Sequence, residues 1–252
     1  MIAEFSIIIP TLNEEKFLPH LLASLTRQNF QGNWEVIIVD GKSADKTKRI
    51  AEAYKKKLDN ISIISSERGV SKQRNVGAKK AKYNYFIFLD ADTVIPENFL
   101  KKVAKKINPN EKLLVGLPLI LPLKGTVVDY AMVYIAYNFF LLVGKFKPLV
   151  TGMCLITTKE NHRQINGFNE QLFYAEDMDY GLRSIKRGAR YHMYATIRLF
   201  ASVRRGRKMG RRNLGKAWFS WYVQLITKGR IENQSAHDYP YGHYTSQDKP
   251  LI

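Results

Sequence analysis

The sequence holds one cysteine, Cys154, so no internal disulfide can form and nothing in the covalent framework asks for an oxidising compartment. A reducing, cytosolic setting is the expectation. Acidic residues are scarce, 22 against 40 lysines and arginines, and the net charge of +18 draws polyanions such as nucleic acid, anionic headgroups or phosphorylated substrates without choosing among them. A basic leader is missing from MIAEFSIIIP, which carries Glu4 and is cut by Pro10, so this segment reads as a first core strand and not as a signal peptide. No apolar run reaches the roughly 20 residues a bilayer span needs, because Asp129 and Asn138 interrupt the richest one, Thr126 to Gly144. Internal repeats and low-complexity linkers are also lacking. The simplest organisation is one domain over residues 1–201 and a C-terminal extension over 202–252.

What is present is an alternating α/β rhythm. Apolar residues make up 45% of the chain, enough for a real core. The short runs FSIII, EVIIV, ISII and YFIFL are separated by helical patterns, which predicts βαβ units and a mostly parallel sheet flanked by helices. Their near-continuous apolar character fits strands buried on both faces. Further strands are predicted at LLVGLPLIL, at TGMCLIT and near Arg190 to Tyr194, with a helix from Glu176 to Lys186. Ser43 or Asp45 is expected to cap the second helix and Ser71 the third.

Polar residues follow the strands at their C-terminal ends: Thr11, Asn13 and Glu14 after Pro10, Asp40 after EVIIV, Asp90 and Asp92 after YFIFL. In open α/β sheets that edge is where ligands bind. Asp90 and Asp92 stand two apart, which on a strand puts both carboxylates on one face, where a hard divalent cation would relieve their repulsion. The same pair also reads as a solvated turn with Asp90 capping a helix near Pro96. Asp40 is either a helix cap or an acceptor for a base N–H of a nucleotide. Arg74, within ERGVSKQRNVGAKKA, is either an ordinary solvated arginine or a planar guanidinium for a diphosphate. The acids of Glu176-Asp177-Met178-Asp179 either complement a helix dipole or supply a desolvated, tuned base.

Taken in order, SIIIPTLNEE, EVIIVDGKSADKT, RGVSKQRNVGAKKA, YFIFLDADT, TGMCLIT, INGFNE and AEDMDYGLRSIKRG resemble the family 2 glycosyltransferases of GT-A fold, over about residues 5 to 195. The resemblance implies an inverting enzyme that uses a UDP- or GDP-sugar. Thr11 and Glu14, with Pro10 and Asn13 beside them, would line the nucleotide pocket, and Asp40 would bind the base. Arg74 would lie near the diphosphate, and Asp90 and Asp92 would form the DxD motif that holds ribose and Mn²⁺ or Mg²⁺. Gly152 would leave room for the donor sugar, and Asp177, from the Glu176-Asp177 pair, would be the catalytic base. Val94 departs from the polar residue that lipid-phosphate mannosyl transferases often place after this motif, and the QxxRW-type motif of processive polymerases is missing, which implies single additions.

Two segments bear on the acceptor. Thr126 to Gly144 reads either as a buried helix or as one that touches a membrane. Arg204, Arg205, Arg207, Lys208, Arg211, Arg212 and Lys216, followed by Trp218, Phe219, Trp221 and Tyr222, combine basic charge with interfacial aromatics. Together they imply a lipid-linked acceptor and peripheral attachment to the cytoplasmic face of the cell membrane. A sugar-1-phosphate nucleotidyltransferase is the near rival, but the loop PTLNEEKF lacks the glycine such a phosphate loop needs. A nucleic-acid-binding module would explain the charge, yet no helix-turn-helix, zinc or RRM signature accompanies it, and no nucleic-acid partner is expected.

Overall fold

The computed structural model describes residues 3–144, 150–172 and 175–204, with isolated positions at 210, 216, 220, 223 and 224. Most of the basic and aromatic run after Arg204 therefore lies outside the described residues. The strand β1 (Phe5–Thr11) buries all seven of its residues and pairs in parallel with β2 (Trp34–Asp40) on one side and β4 (Tyr85–Leu89) on the other. Next to β2 runs β3 (Ile61–Ser65), again parallel. This is the parallel half that the four apolar runs predict.

Beyond β4 the sheet changes hand. β7 (Cys154–Thr158) joins β4 antiparallel, and β6 (Leu114–Leu123) joins β7 antiparallel. β8 (Arg190–Ser202) then runs parallel to β6, and the two-residue β5 (Thr93–Val94) pairs antiparallel with the end of β8. The order is β3-β2-β1-β4-β7-β6-β8-β5, with parallel pairings in the majority. β8 is far longer than the stretch Arg190 to Tyr194 expected from sequence. A bulge opposite Pro118/Leu119 moves its partner from Tyr194 to Arg198, which breaks the period-two pattern a sequence reading relies on.

Alternation along β1 divides the core. Ile7 and Ile9 pack with α1 (Leu18–Leu25) and α4 (Phe99–Lys106), whereas Ile8 faces α3 (Val70–Lys80) and the aromatic cluster Phe86, Phe88, Phe168 and Tyr180. α7 (Glu176–Lys186), which spans the range expected from sequence, contributes Tyr180 to that second cluster, and α6 (Lys159–Gln164) follows β7 directly. Asp45, one of the two expected caps of the second helix, accepts at its first turn, whereas Ser71 does not cap the third. α2 (Thr47–Ala53) starts from Lys46, with Asp45 accepting from the Thr47 amide. α3 starts from Gly69 at φ 131°, which leaves Ser71 buried inside the helix; α4 starts from Asn98.

The inward face of α3 is polar: Ser71, Gln73, Arg74 and Asn75 are buried along with Gly77 and Ala78. It approaches the sheet closely because Gly77 has no side chain. A Cβ there would lie 2.4 Å from Ile8 Cγ2 and 3.1 Å from Val39 Cγ2. Close packing tolerates such overfilling poorly. Gly77→Ala is therefore expected to destabilise the fold by about 1–3 kcal/mol, read as a lowered thermal midpoint; an unchanged midpoint would show that α3 can lift from β1 at little cost.

Candidate active site

The loops that leave β1 and β2 are tied to each other before they meet anything else. Asn13, at φ 56°, donates its amide to Ser43 Oγ at 3.0 Å, and its side-chain oxygen accepts from Ala44 N at 2.9 Å. The Glu14 amide donates to Thr47 Oγ1 at 2.7 Å, and Glu15 exchanges hydrogen bonds with Asp45 and Lys46. Gln73 Nε2 donates to the carbonyls of Thr11 and Val39, both at 2.7 Å, and so pins the ends of both strands to α3. Thr11 and Asp40 are buried side by side. Asp40 accepts from Ser43 Oγ at 2.6 Å and Ser43 N at 3.1 Å, and more weakly from Thr11 Oγ1 at 3.4 Å. The carboxylate thus closes its own turn and does not cap α2.

Arg74 is 2% exposed and lies at the centre of the site. Nη2 donates to Asp90 Oδ1 and to the Gly152 carbonyl, each at 2.9 Å, and Nη1 donates to Glu176 Oε1 at 2.8 Å. Its guanidinium lies over the Phe168 ring at 5.1 Å, and neighbouring Asn75 holds that loop by bonds to Phe168 N and O. The INGFNE loop is therefore a buttress for Arg74. The solvated-surface reading of this arginine is wrong, because α3 turns its polar face inward.

Gly152 owes its identity to crowding. A Cβ there would stand 3.1 Å from Arg74 Nη2, 3.2 Å from Asp177 Oδ2 and 3.5 Å from Glu176 Oε1. β7 pairs Leu89 with Cys154, and Asp90 N donates to the Met153 carbonyl at 3.0 Å, so the start of β7 is laid beside the end of β4. Ala175, immediately before α7, adopts φ 56° and ψ 25°. A left-handed alanine is held there by its surroundings, and such strain gathers at functional sites. It aims Glu176 and Asp177 at Gly152. Although Asp177 keeps some residue surface, its carboxyl is packed among protein atoms, and burial reinforced by the Glu176 charge pushes it up to about 7. Arg74 and the Met178 amide, 2.8 Å from Asp177 Oδ1, pull the other way.

Asp90 and Asp92 are not successive side chains of one strand. Both follow β4 in a turn whose Asp90 carbonyl accepts from Thr93 N and Oγ1, and the two carboxylates meet different cations. Asp90 faces Arg74; Asp92 Oδ2 meets Arg204 Nε at 2.9 Å. Arg204 also grips Glu14, with Nη2 at 2.8 Å from Oε1 and Nη1 at 3.0 Å from Oε2. Burial is the chief cause that raises Glu14 to about 7, with Asp92 and Asp90 adding to it and Arg204 opposing. Sequence reasoning placed Arg204 within the basic run read as membrane-facing. Its one available signal was position, as the first charge after β8, and only the pairing of β8 with β5 reveals that it faces the site.

Thr11, Asn13, Glu14, Asp40, Arg74, Asp90, Asp92, Gly152, Glu176 and Asp177 are thus gathered at one edge, where β1, β2 and β4 end and β7 begins. Pro10 pairs with Val39 one residue inside that edge. Among the described residues no three His, Cys, Asp or Glu side chains converge as a ready-made ion cage. The sheet order and this edge of paired carboxylates and arginines define an α/β transferase of GT-A type. A model of the family described as Glycosyl transferase family 2 matches residues 6–140, and the chain belongs to that family. The poly(ribitol-phosphate) beta-N-acetylglucosaminyltransferase TarS of Staphylococcus aureus is 39% identical over 109 residues, covering 42% of this chain and 19% of that protein. A dolichyl N-acetyl-alpha-D-glucosaminyl phosphate 3-beta-D-2,3-diacetamido-2,3-dideoxy-beta-D-glucuronosyltransferase of Methanococcus voltae is 36% identical over 118 residues, 44% of this chain and 37% of that one. The chain spans less than two thirds of the length of either relative. Among solved structures, S. aureus TarS 1-349 in complex with UDP-GlcNAc superposes with a TM-score of 0.66 at 28% identity, covering 79% of this chain and 58% of that one. The mannosyltransferase PcManGT of Pyrobaculum calidifontis, in complex with GDP-Man and Mn²⁺, shares the fold with a TM-score of 0.68 at 20% identity, over 96% of this chain and 69% of that one.

The raised Asp177 makes a prediction about stability. Its folded value of about 7 lies above the ordinary 3.8, so between those limits the folded state holds a proton that the unfolded chain has released. The stabilisation this confers is complete below that window and is lost as pH rises through it. The thermal midpoint of the wild type is therefore expected to fall as pH rises from about 4 to about 7, relative to Asp177→Asn. Glu14 acts in the same direction in both proteins and cancels in the comparison; parallel curves would show that Asp177 has an ordinary affinity for protons.

Proposed function

We propose that this chain transfers a sugar, with inversion, from a UDP- or GDP-linked donor to the hydroxyl of a lipid-linked acceptor at a membrane surface. The observation that carries the transfer is the edge itself: a buried arginine bridging Asp90 and Glu176, beside an Asp177 carboxyl held near 7. A carboxyl at that value is a competent proton acceptor at neutral pH. The acceptor hydroxyl gives its proton to Asp177 as its oxygen bonds to the anomeric carbon, and the bond from that carbon to the diphosphate breaks on the opposite side. No covalent sugar intermediate is required.

Thr11, Asn13 and Glu14, with Pro10 behind them, form the nucleotide side, and Asp40 accepts from the base. Arg74 faces the charge that grows on the departing diphosphate. Gly152, whose lack of a side chain lets Arg74 and Asp177 close on its backbone, lies beside the place of the donor sugar. The donor set fits a divalent cation: Glu14, Asp90, Asp92, Glu176 and Asp177 are gathered at this edge, with Arg74 and Arg204 among the described cations that meet them. Ions of this kind are commonly held by one or two carboxylates together with substrate phosphates, which agrees with the lack of a three-carboxylate cage. Asp90 and Asp92 would hold Mn²⁺ or Mg²⁺, which when bound supplies positive charge at the leaving diphosphate. UDP-GlcNAc in TarS and GDP-Man in PcManGT support a nucleotide-sugar donor and leave both bases open.

The acceptor side rests on α5 (Val127–Val143), which leaves the end of β6 next to the site. Asp129 and Thr126 are consumed in its capping box. Val127, Val128, Met132, Tyr134, Ile135, Phe139, Leu141 and Leu142 are all exposed, Val127 to 86% and Ile135 to 71%. At 100° per residue they cover about half the circumference. None of the described side chains of α5 is fully buried, which supports the membrane-touching reading over the buried-helix one. No helix among the described residues is long and apolar enough to cross a membrane. An exposed apolar arc on a chain of net charge +18 suits the boundary of an anionic bilayer, and the dolichyl phosphate named in the Methanococcus relative supports a lipid-linked acceptor.

Thermal unfolding against UDP- and GDP-sugars, with and without Mn²⁺, tests the donor reading. One nucleotide class at about 100 times its dissociation constant is expected to add roughly 2.7 kcal/mol, with the gain lost in Asp92→Asn. Asp177→Asn is expected to keep that donor shift while turnover falls by about 10²- to 10⁴-fold; no shift with any donor would sink the reading. For the acceptor side, sedimentation with vesicles containing phosphatidylglycerol is expected to capture the wild type, and Ile135→Ser with Leu142→Ser to weaken capture several-fold. Binding that follows salt alone and ignores these substitutions would remove α5 from the contact.

A further inference from the structure

This inference rests on the reading of Asp90 and Asp92 as the carboxylates that receive a donor-borne divalent cation. Arg204 is held by more than a flexible tail could supply. β8 pairs Ala201 with Thr93 and Phe200 with Val94, and Ser202 N donates to the carbonyl of Asp92 itself at 3.1 Å. Two residues later Arg204 N donates to Ser202 Oγ at 3.2 Å, and its guanidinium lies over the Phe17 ring at 4.3 Å. From that anchor the planar fork serves two carboxylates at once: both terminal nitrogens go to Glu14, and Nε goes to Asp92 Oδ2 at 2.9 Å. All three side chains are largely shielded, with 13% of the Arg204 side chain exposed, 10% of Glu14 and 16% of Asp92.

We propose that Arg204 is a resident cation of the donor site: it holds Asp92 in the donor-free protein and releases it, keeping Glu14, when a divalent cation binds. The geometry makes the two occupants competitors. An ion of this type coordinates carboxylate oxygen at about 2.1 Å, and a guanidinium already on that carboxylate would stand against it as a second positive centre in a site of low dielectric. While Arg204 is engaged, the carboxylate pair is therefore incompetent for the bare ion, and apparent affinity falls by the fraction of time it is engaged. A nucleotide diphosphate changes the balance by adding negative charge and phosphate oxygens to the ion's ligand set. Binding becomes ordered, with the ion arriving together with the nucleotide, and Glu14 retains a counter-charge throughout. Arg74 is not suited to this exchange, because it is buried mid-helix between Asp90, Glu176 and the Gly152 carbonyl.

The test reads ion binding directly. Free Mn²⁺ is measured by electron paramagnetic resonance with the full chain, for wild type, Arg204→Gln, Arg204→Lys and Asp92→Asn, each with and without UDP or GDP. Arg204→Gln is expected to bind Mn²⁺ without nucleotide at least roughly tenfold more tightly than wild type, and Arg204→Lys to fall between them. Labelling of wild-type Arg204 by phenylglyoxal, read by peptide mass, is expected to quicken once Mn²⁺ is raised high enough to fill the nucleotide-free site, and this arm needs no variant to fold. Equal or weaker Mn²⁺ affinity in a folded Arg204→Gln, or labelling that does not change while Mn²⁺ binds, overturns the exchange. If wild type binds Mn²⁺ with a nucleotide, and Asp92→Asn does not, the donor-site reading survives that failure. Should wild type bind no Mn²⁺ with either nucleotide, both fall.

Discussion

A guanidinium with 2% of its surface exposed must be paired, and Arg74 is paired three ways, with Asp90, Glu176 and the Gly152 carbonyl. The partners come from β4, the start of α7 and the approach to β7, so the ion pairs join segments that are distant in the chain. Removing one member of such a set leaves uncompensated buried charge, at a cost of about 3–5 kcal/mol. Arg74 in turn is held by its place on α3, and α3 approaches the sheet only because Gly77 admits Ile8. Backbone packing, helix position and site electrostatics thus form one chain of dependence.

The same accounting explains why the edge is reactive and not merely charged. Where burial outweighs the pull of the arginines, a carboxylate holds its proton more tightly. Glu14 and Asp177 are the two that do, each at about 7 and each with burial as the leading cause. The arginines share the acids between them: Arg74 serves Asp90 and Glu176, Arg204 serves Asp92 and Glu14. The two aspartates of one turn are thereby held apart in different electrostatic settings, although only one residue separates them. A left-handed Ala175 and a crowded Gly152 set the remaining geometry around Asp177.

Much of the first half was legible because its strands read as apolar runs, unbroken in β1, β2 and β4, which are buried on both faces, while β3 at the edge is partly exposed. β1, β2, β3 and β4 all fall where those runs lie. β8 was legible only in its first residues, since its bulge shifts the period at the point where a strand pattern must hold. α3 left Arg74 open between surface and site, because its buried face is polar and no apolar stripe marks which side turns inward. α5 stayed ambiguous in the opposite sense, since an apolar segment fits core or membrane equally and many of its apolar side chains are exposed.

By itself the sequence determined the βαβ order and the placing of polar residues after each strand, because apolar runs and their polar ends are local properties. It also placed the acids and Arg74 in one ordered series. What only the tertiary structure decided was who pairs with whom: Arg74 with Asp90 and Glu176, Arg204 with Asp92 and Glu14. Those bonds join residues 16 to 190 positions apart, and charge pairing at such separations is set by how strands stack and helices lean. Nothing in the local pattern around Arg204 distinguishes it from its basic neighbours; the antiparallel strand that carries it to Asp92 does.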